Sequence, residues 1–389
     1  MDDVLTSMAV FWALMLLTYF LMQNGLSIFN DVAKSMGMFM LEKALGPGID
    51  LVEGRPGSAS KAWIMQGLLW LLAASTLTFE GLWMMHDPLA LHSLSAWGYS
   101  PTSGSLLYAG NYAVLYGGVG MLLIGAGLHI LPRLARTELA SEKNAALVSF
   151  LWTISVLVLV IGAHDSEVLG INIIFVGTVM HVVAFLAIIT NQLLTVSKRQ
   201  GALAIPGWLI IFGLLADPVA TAAIFVSGSV ETGVGQWLLG HMVGGTFFFA
   251  SAAGIALYAS SSASGNPLWS RSLAAAVLVG SIATINPMGE VDGRMAADML
   301  GLNFGELHVT SEDNLVAAFL MALATIPIMA LAANVLITLR GGDAFVENAD
   351  SAGTAELNLG ASMLLPLAIG SLFIQSDAFA ATPEFSGLA

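Results

Sequence analysis

The chain has 389 residues, of which 57% are hydrophobic and only 10% are charged. A soluble domain carries about a quarter of charged residues, so this composition excludes a soluble protein and predicts an all-α integral membrane protein. The formal net charge of −14 argues against nucleic acid as a partner and leaves two explanations open, a salty habitat or a cationic partner. The absence of cysteine excludes disulfides, iron–sulfur clusters and thiolate ligands.

Apolar stretches long enough to cross a bilayer follow one another along the whole chain. The ten predicted spans are 4–23, 62–85, 105–131, 145–163, 169–195, 205–227, 234–259, 272–289, 313–339 and 357–375. The first stretch lacks a basic start and a small-residue cleavage site, so we interpret it as a retained helix and not as a signal peptide.

The basic residues predict how these spans are oriented, because short cytoplasmic loops are enriched in lysine and arginine. With ten spans, all basic residues except Arg294 fall on one side of the membrane: Lys34, Lys43, Arg55, Lys61, Arg133, Arg136, Lys143, Lys198, Arg199, Arg271 and Arg340. The chain is therefore expected in the cytoplasmic membrane of a prokaryote, with both termini outside. On that outer side, the acidic loop 290–312 is a candidate docking site for a cytochrome or cupredoxin.

Ionisable residues inside spans are functional candidates because an unpaired charge in lipid is costly. The candidates are Glu80, His129, His181, Asp217 and His241. Each also has a structural interpretation, at the membrane interface or in a hydrogen bond between helices. Asp217 precedes Pro218, which kinks a helix, so Asp217 and Glu80 are candidates for a proton path. Three loop histidines, His86, His92 and His164, could bind copper or zinc, but their spacing matches no established site.

Five segments, in the same order along the chain, resemble the catalytic subunit of heme-copper oxidases, especially the nitric oxide reductase and cbb3-type branch. They are SASKAWIMQGLLWLLAAS, GAGLHILPRLARTEL, QWLLGHMVGGTFFFASAAGIALY, SGNPLWSRSLAAAVLVGSIA and DNLVAAFLMALATIPIMALAANVLITLRG. The resemblance implies a truncated oxidase-like helix bundle over 58–342. Residues 1–57 add an N-terminal helix and an amphipathic inner loop, and 343–389 add a flexible loop, a last helix and an outer tail.

The resemblance also implies which metal ligands the chain has kept. His241 matches the first copper-ligand histidine of the family. The histidine that would ligate the low-spin heme falls near Gly110, the copper pair falls near Asn286 and Pro287, and no histidine follows His308. Heme iron needs an axial protein ligand, so the chain is not expected to bind heme and copper in the family's usual way. Heme or copper bound at His241, His181 or His129 stays open.

Three functions remain open at this stage. The chain could be a subunit of a respiratory complex that has lost its metal ligands and serves structure, assembly or proton conduction, with other membrane subunits covering its exposed helices. It could instead be a redox-active subunit with unusual heme or copper ligation, or a transporter of ions or small solutes. Gly240, Gly244 and Gly245 are predicted to let a neighbouring helix approach closely whatever the function.

Overall fold

A computed structural model describes residues 3–24, 50–51, 53–227, 240–283, 311–340 and 353–374. Ten long helices lie in these ranges: α1 (Asp3–Asn24), α2 (Ser58–His86), α3 (Ser103–Ala135), α4 (Glu142–His164), α5 (Ile173–Ser197), α6 (Ile205–Ser227), α7 (240–264), α8 (Arg271–Ala283), α9 (Ser311–Thr338) and α10 (Thr354–Ile374). Each predicted span overlaps one of them within the described residues. The predicted inner amphipathic segment and the acidic outer loop fall almost wholly outside the described residues.

Six of the described helices are long and apolar enough to cross a membrane. They are Ser58–His86, Ser103–Ala135, Glu142–His164, Ile173–Ser197, Ile205–Ala222 and Met242–Ser264. Shorter apolar stretches occur at Ser7–Thr18, Arg271–Ser281 and Thr325–Thr338. The predicted class, a helical membrane protein, is confirmed, whereas the count of ten spans stays a prediction.

A small hairpin precedes α5, so the span predicted to start at residue 169 starts too early. Strands β1 (Glu167–Val168) and β2 (Ile171–Asn172) pair in antiparallel fashion. Leu169 and Gly170 form the turn between them with φ of 55° and 77°, the left-handed conformation that two-residue hairpins require. Leu169 is apolar but 95% exposed, and hydropathy alone could not separate it from the helix that follows.

The helices form two compact units, the first made of residues 1–129 and 138–191 and the second of 130–137 and 192–389. In unit 1, α2 and α3 run antiparallel in close contact. A Cβ built on Gly81 would lie 2.8 Å from Cγ of Leu107, and one built on Gly125 would lie 2.8 Å from Cγ1 of Ile64. Glycine lets two backbones approach this closely, as in many membrane helix pairs.

Helix α4 packs across the α2–α3 pair through hydrogen bonds in the apolar interior. The indole Nε1 of Trp63 donates to the carbonyl of Ala145 at 2.8 Å, and Nε2 of Gln66 donates to Oγ of Ser149 at 2.7 Å. Glu142, at the start of α4, accepts from the backbone N–H groups of Gly57 and Ala59 at 2.7 and 3.0 Å. This carboxylate thus satisfies free N–H groups at the positive end of α2.

Unit 2 is built on an antiparallel α6–α7 pair with α8, α9 and α10 around an apolar core. A Cβ on Gly254 would lie 2.7 Å from the carbonyl oxygen of Pro206, and one on Gly213 would lie 3.1 Å from that of Phe247. Near the start of α8, Asn334 holds the backbone of Ser270 by two hydrogen bonds, of 2.8 and 3.2 Å. The core side chains include Leu209, Leu257, Val277, Leu331 and Val335, each at most 5% exposed.

Candidate functional site

His181 is the buried histidine of unit 1, and it is surrounded by aromatic rings. Its Nδ1 lies 3.1 Å from Oγ of Ser155, a neighbouring hydroxyl on α4. The imidazole centroid lies 4.1 Å from that of Trp152 and 4.4 Å from that of Tyr116. Phe185, one turn further along α5, is 5.2 Å away. His181 therefore makes the interhelical hydrogen bond that was one of its two sequence interpretations, within a packed aromatic cluster.

Part of α3 beside this histidine is a π-helix, Ala113–Gly120. Such wide turns are rare and occur frequently at functional sites. Tyr116 lies in this segment, and its carbonyl accepts a hydrogen bond of 2.9 Å from Nε1 of Trp152. The π segment, the tryptophan and the histidine thus form one contact group between α3, α4 and α5.

The position where the resemblance expects a heme-ligand histidine is closed by helix packing. A Cβ built on Gly110 would lie 2.7 Å from Oγ1 of Thr78 on α2, whereas ordinary contacts of a Cβ lie at 3.4–4 Å. Any side chain at this position would require at least the Thr78 hydroxyl to move. No hydropathy pattern could have revealed this contact, because it joins residues 32 positions apart.

Asp217 is a buried acid of unit 2, only 3% exposed on α6. Its Oδ1 accepts a hydrogen bond of 3.1 Å from Thr221, one turn later. The antiparallel register set by Gly213 and Phe247 places Asp217 level with the first turns of α7. Those turns, Gly240–Phe248, are the second π-helix among the described residues. Each unit therefore brings a buried ionisable residue level with a π segment.

Two buried hydroxyl groups lie on the same part of α7. Thr246 and Ser251 are 1% and 2% exposed, and their hydroxyl oxygens have no hydrogen-bond partner among the described residues. An unsatisfied buried hydroxyl costs about 1–3 kcal/mol, so such groups indicate a place for bound water or another polar ligand. The sequence analysis missed both residues, because isolated Ser and Thr are common in apolar helices.

The other sequence candidates are more exposed or lie elsewhere. Glu80 is partly buried near the end of α2 in unit 1, whereas Asp217 belongs to unit 2. Next to Glu80, burial raises the pKa of Tyr99 above its ordinary value, and the Glu80 charge raises it further. His129 is exposed on α3, and Nδ1 of His164 lies 3.2 Å from Oγ of Ser105. Among the described residues, no three His, Asp or Glu side chains group as metal ligands would.

His241 lies at the start of the second π segment, but its side chain falls outside the described part of the chain. The surroundings of Gly240 also lie outside the described part of the chain. A Cβ built on Gly244 would meet no described atom within 4 Å, and the close approach predicted at Gly240, Gly244 and Gly245 stays a prediction. Close helix contacts of this kind do occur at Gly213 and Gly254.

Comparison of the chain with protein-family models finds no matching family, and comparison with curated proteins finds no matching protein. Function is therefore inferred from the packing, burial and hydrogen bonds of the described residues.

Proposed function

We propose that the chain is an integral membrane subunit of a respiratory or electron-transfer complex, descended from a heme-copper oxidase-like subunit that has lost its metal ligands. Its role in this proposal is structural, holding other membrane subunits in place. The observation that carries the proposal is the close packing of Gly110 against Thr78. Oγ1 of Thr78 would lie 2.7 Å from a Cβ built on the glycine. In our proposal this close packing occupies the place where a heme-binding relative would hold its ligand.

The burial of the helices is consistent with such a role. Only 17% of the apolar 18-residue stretch of α2 is buried among the described residues, although α2 is one of the longest apolar helices described. Met65, Leu68, Leu69 and Leu72 are exposed on it. In our proposal this face contacts lipid or a neighbouring subunit. The proposal also gives the chain ten spans in a cytoplasmic membrane, with both termini outside. A cytochrome or cupredoxin docks at the acidic loop 290–312.

Purification from the native membrane in a mild detergent tests this proposal. We expect other membrane subunits to co-purify with the chain, identified by mass spectrometry of the isolated complex. The chain expressed alone should give a visible spectrum without heme bands. A chain that purifies from its own membrane only as a monomer would contradict the subunit role. Heme bands in the chain expressed alone would instead favour a redox-active subunit with unusual ligation.

Transport of ions or small solutes is a second candidate, favoured by the polar interior of unit 2. Asp217, Thr221, Thr246 and Ser251 are all buried there, and hydroxyl and carboxylate oxygens suit water, protons or small cations. In proteoliposomes, Asp217→Asn should abolish proton or sodium flux if this candidate is right. Glu356→Gln, an exposed acid at the start of α10, is the matched control and should leave flux unchanged. Equal flux in both variants would remove Asp217 from the path.

A further inference from the structure

Unit 1 contains an unbroken row of aromatic rings along the axis of its helices. The row consists of Tyr108, Tyr112, Tyr116, His181, Trp152 and Trp63. In a chain without cysteine, tyrosine and tryptophan are the side chains that lose one electron most readily without a metal. All but His181 belong to these two types.

Successive rings in this row are in contact or nearly so. The centroid distances are 5.1 Å from Tyr108 to Tyr112, 6.2 Å from Tyr112 to Tyr116 and 4.4 Å from Tyr116 to the His181 imidazole. From His181 the row continues 4.1 Å to Trp152 and 5.3 Å to Trp63. An electron moving along the row thus never has to cross a gap of saturated side chains.

The row runs from near the start of α3 to the first turns of α2, at the opposite end of this antiparallel helix pair. Trp63 lies beside Gly125 on α3. A Cβ built on Gly125 would lie 3.1 Å from Cβ of Trp63. The five steps between ring centroids together give an upper limit of about 25 Å for the length of the row; the row is shorter than this, because it bends at Trp152, whose indole N–H binds the carbonyl of Tyr116. The hydrocarbon core is about 30 Å thick. Aromatic belts of membrane proteins lie at the two interfaces, so a row that runs through the interior is not explained by such a belt.

The two ends of the row differ in exposure. Tyr108 is 51% exposed, five residues into α3, whereas Trp63 is fully buried near the start of α2. The indole N–H groups of Trp63 and Trp152 both donate to backbone carbonyls, at 2.8 and 2.9 Å. The hydroxyl of Tyr112 donates to that of Tyr108 at 3.4 Å. Only the Tyr108 end is therefore open to exchange its phenolic proton with the surroundings.

We propose that this row is a relay for single electrons through unit 1, from a carrier at Tyr108 to an acceptor close to the buried Trp63. The relay rests on the proposed function, because the acceptor is an oxidised metal centre of a partner subunit. That centre takes one electron from Trp63, leaving an indole radical cation whose hydrogen-bonded N–H stays in place. The electron that refills Trp63 comes through Trp152, Tyr116 and Tyr112, and each of these tyrosines is refilled by the next before its phenolic proton leaves, so that no proton is lost inside the row.

The last step takes place at Tyr108. It loses one electron into the row and its phenolic proton to water, and becomes a neutral tyrosyl radical. A reduced one-electron metalloprotein carrier then supplies one electron, and the proton returns from water. The net reaction moves one electron from the carrier to the metal centre, and every ring in the row returns to its starting state.

A cysteine introduced into the full-length chain can start this reaction without any partner. The chain has no cysteine, so Lys61→Cys offers a single attachment point for a ruthenium polypyridyl sensitiser, two residues from Trp63. Light and a sacrificial electron acceptor convert the sensitiser into a one-electron oxidant. A nitroso spin trap captures tyrosyl radicals, and peptide mass spectrometry locates the adduct. We expect the adduct at Tyr108, although other tyrosines are present.

Tyr116→Phe interrupts the row while keeping its ring, and should remove most of the adduct at Tyr108. Tyr258→Phe, a tyrosine of unit 2, is the matched control and should leave the adduct unchanged. Tyr112→Phe provides a second interruption if the melting temperature of the first variant shows that it is misfolded. Equal adduct yields in the interrupted and control variants would overturn the relay. Because the assay needs no partner, its failure is distinguishable from a failure to co-purify other subunits.

Discussion

Gly110→Ala should destabilise the α2–α3 pair of unit 1, although alanine is usually the better helix former. The new methyl would lie 2.7 Å from Oγ1 of Thr78, well inside the 3.4–4 Å of ordinary contact. Overpacking of this kind costs about 1–3 kcal/mol, against about 0.5–1 kcal/mol gained by replacing glycine within a helix. A net loss of about 0–2.5 kcal/mol, centred at about 1 kcal/mol, follows from these two ranges. Unfolding in detergent micelles, followed by circular dichroism, measures it.

Gly104→Ala on the same helix is the control. A Cβ there would have its nearest neighbour, Oγ1 of Thr102, at 4.0 Å, so this variant should be neutral or slightly stabilised. The clash can also be relieved from the other side. At Gly110 the next nearest atoms, N and Cα of Thr78, lie at 3.5 and 3.7 Å, so adding Thr78→Ala should restore most of the lost stability. If Gly110→Ala is as stable as Gly104→Ala, the helices are not locked at this point and the main support for the proposed function is lost.

Three further perturbations probe other contacts of unit 1. Ser155→Ala removes the hydroxyl beside Nδ1 of the buried His181 and should lower the free energy of unfolding by about 1–3 kcal/mol; a Ser155→Thr variant that keeps a hydroxyl should lose less. Glu142→Ala removes the acceptor of two backbone N–H groups and should lower the free energy of unfolding by about 1–3 kcal/mol. Glu142→Gln should have a stability between that of Glu142→Ala and that of the unaltered chain. Equal stability of all three would exclude the capping role. Tyr99 should give alkaline sensitivity. Its pKa is raised in the folded chain above the ordinary value of 10.0, so its contribution is complete below about pH 10 and is lost as pH rises through the higher folded value; melting curves of Tyr99→Phe should show a smaller alkaline decline, and an unchanged decline would contradict this.

The distribution of basic residues connects the sequence prediction with the packing. Gly54, just before α2, lies against the side chain of Lys143 in the first turn of α4. Cγ of Lys143 would lie 2.9 Å from a Cβ built on this glycine. In unit 2, Asn266 binds the carbonyls of Thr338 and Arg340 at 2.9 and 3.1 Å, which places Arg340 near the start of α8. Within each unit, these basic residues thus lie near the ends of neighbouring helices, and the orientation of the chain in the membrane stays a prediction.

The sequence by itself determined the membrane class and the position of nearly every helix. These properties are local, since hydropathy over about 20 residues decides whether a segment can span lipid. It also singled out His181 and Asp217, because an ionisable side chain inside an apolar helix is conspicuous whatever surrounds it. The hairpin before α5 escaped prediction, since an exposed Leu169 has the same hydropathy as a buried leucine.

Only the tertiary structure decided which residues meet. Gly110 meets Thr78, Ser155 meets His181, and Trp152 binds the carbonyl of Tyr116 in a π segment. Each contact joins residues 26 or more positions apart, on different helices. A side-chain pattern with a period of 3.6 residues shows which face of a helix is apolar, but not which neighbour that face meets or how closely. The row of aromatic rings in unit 1 exists only through such meetings.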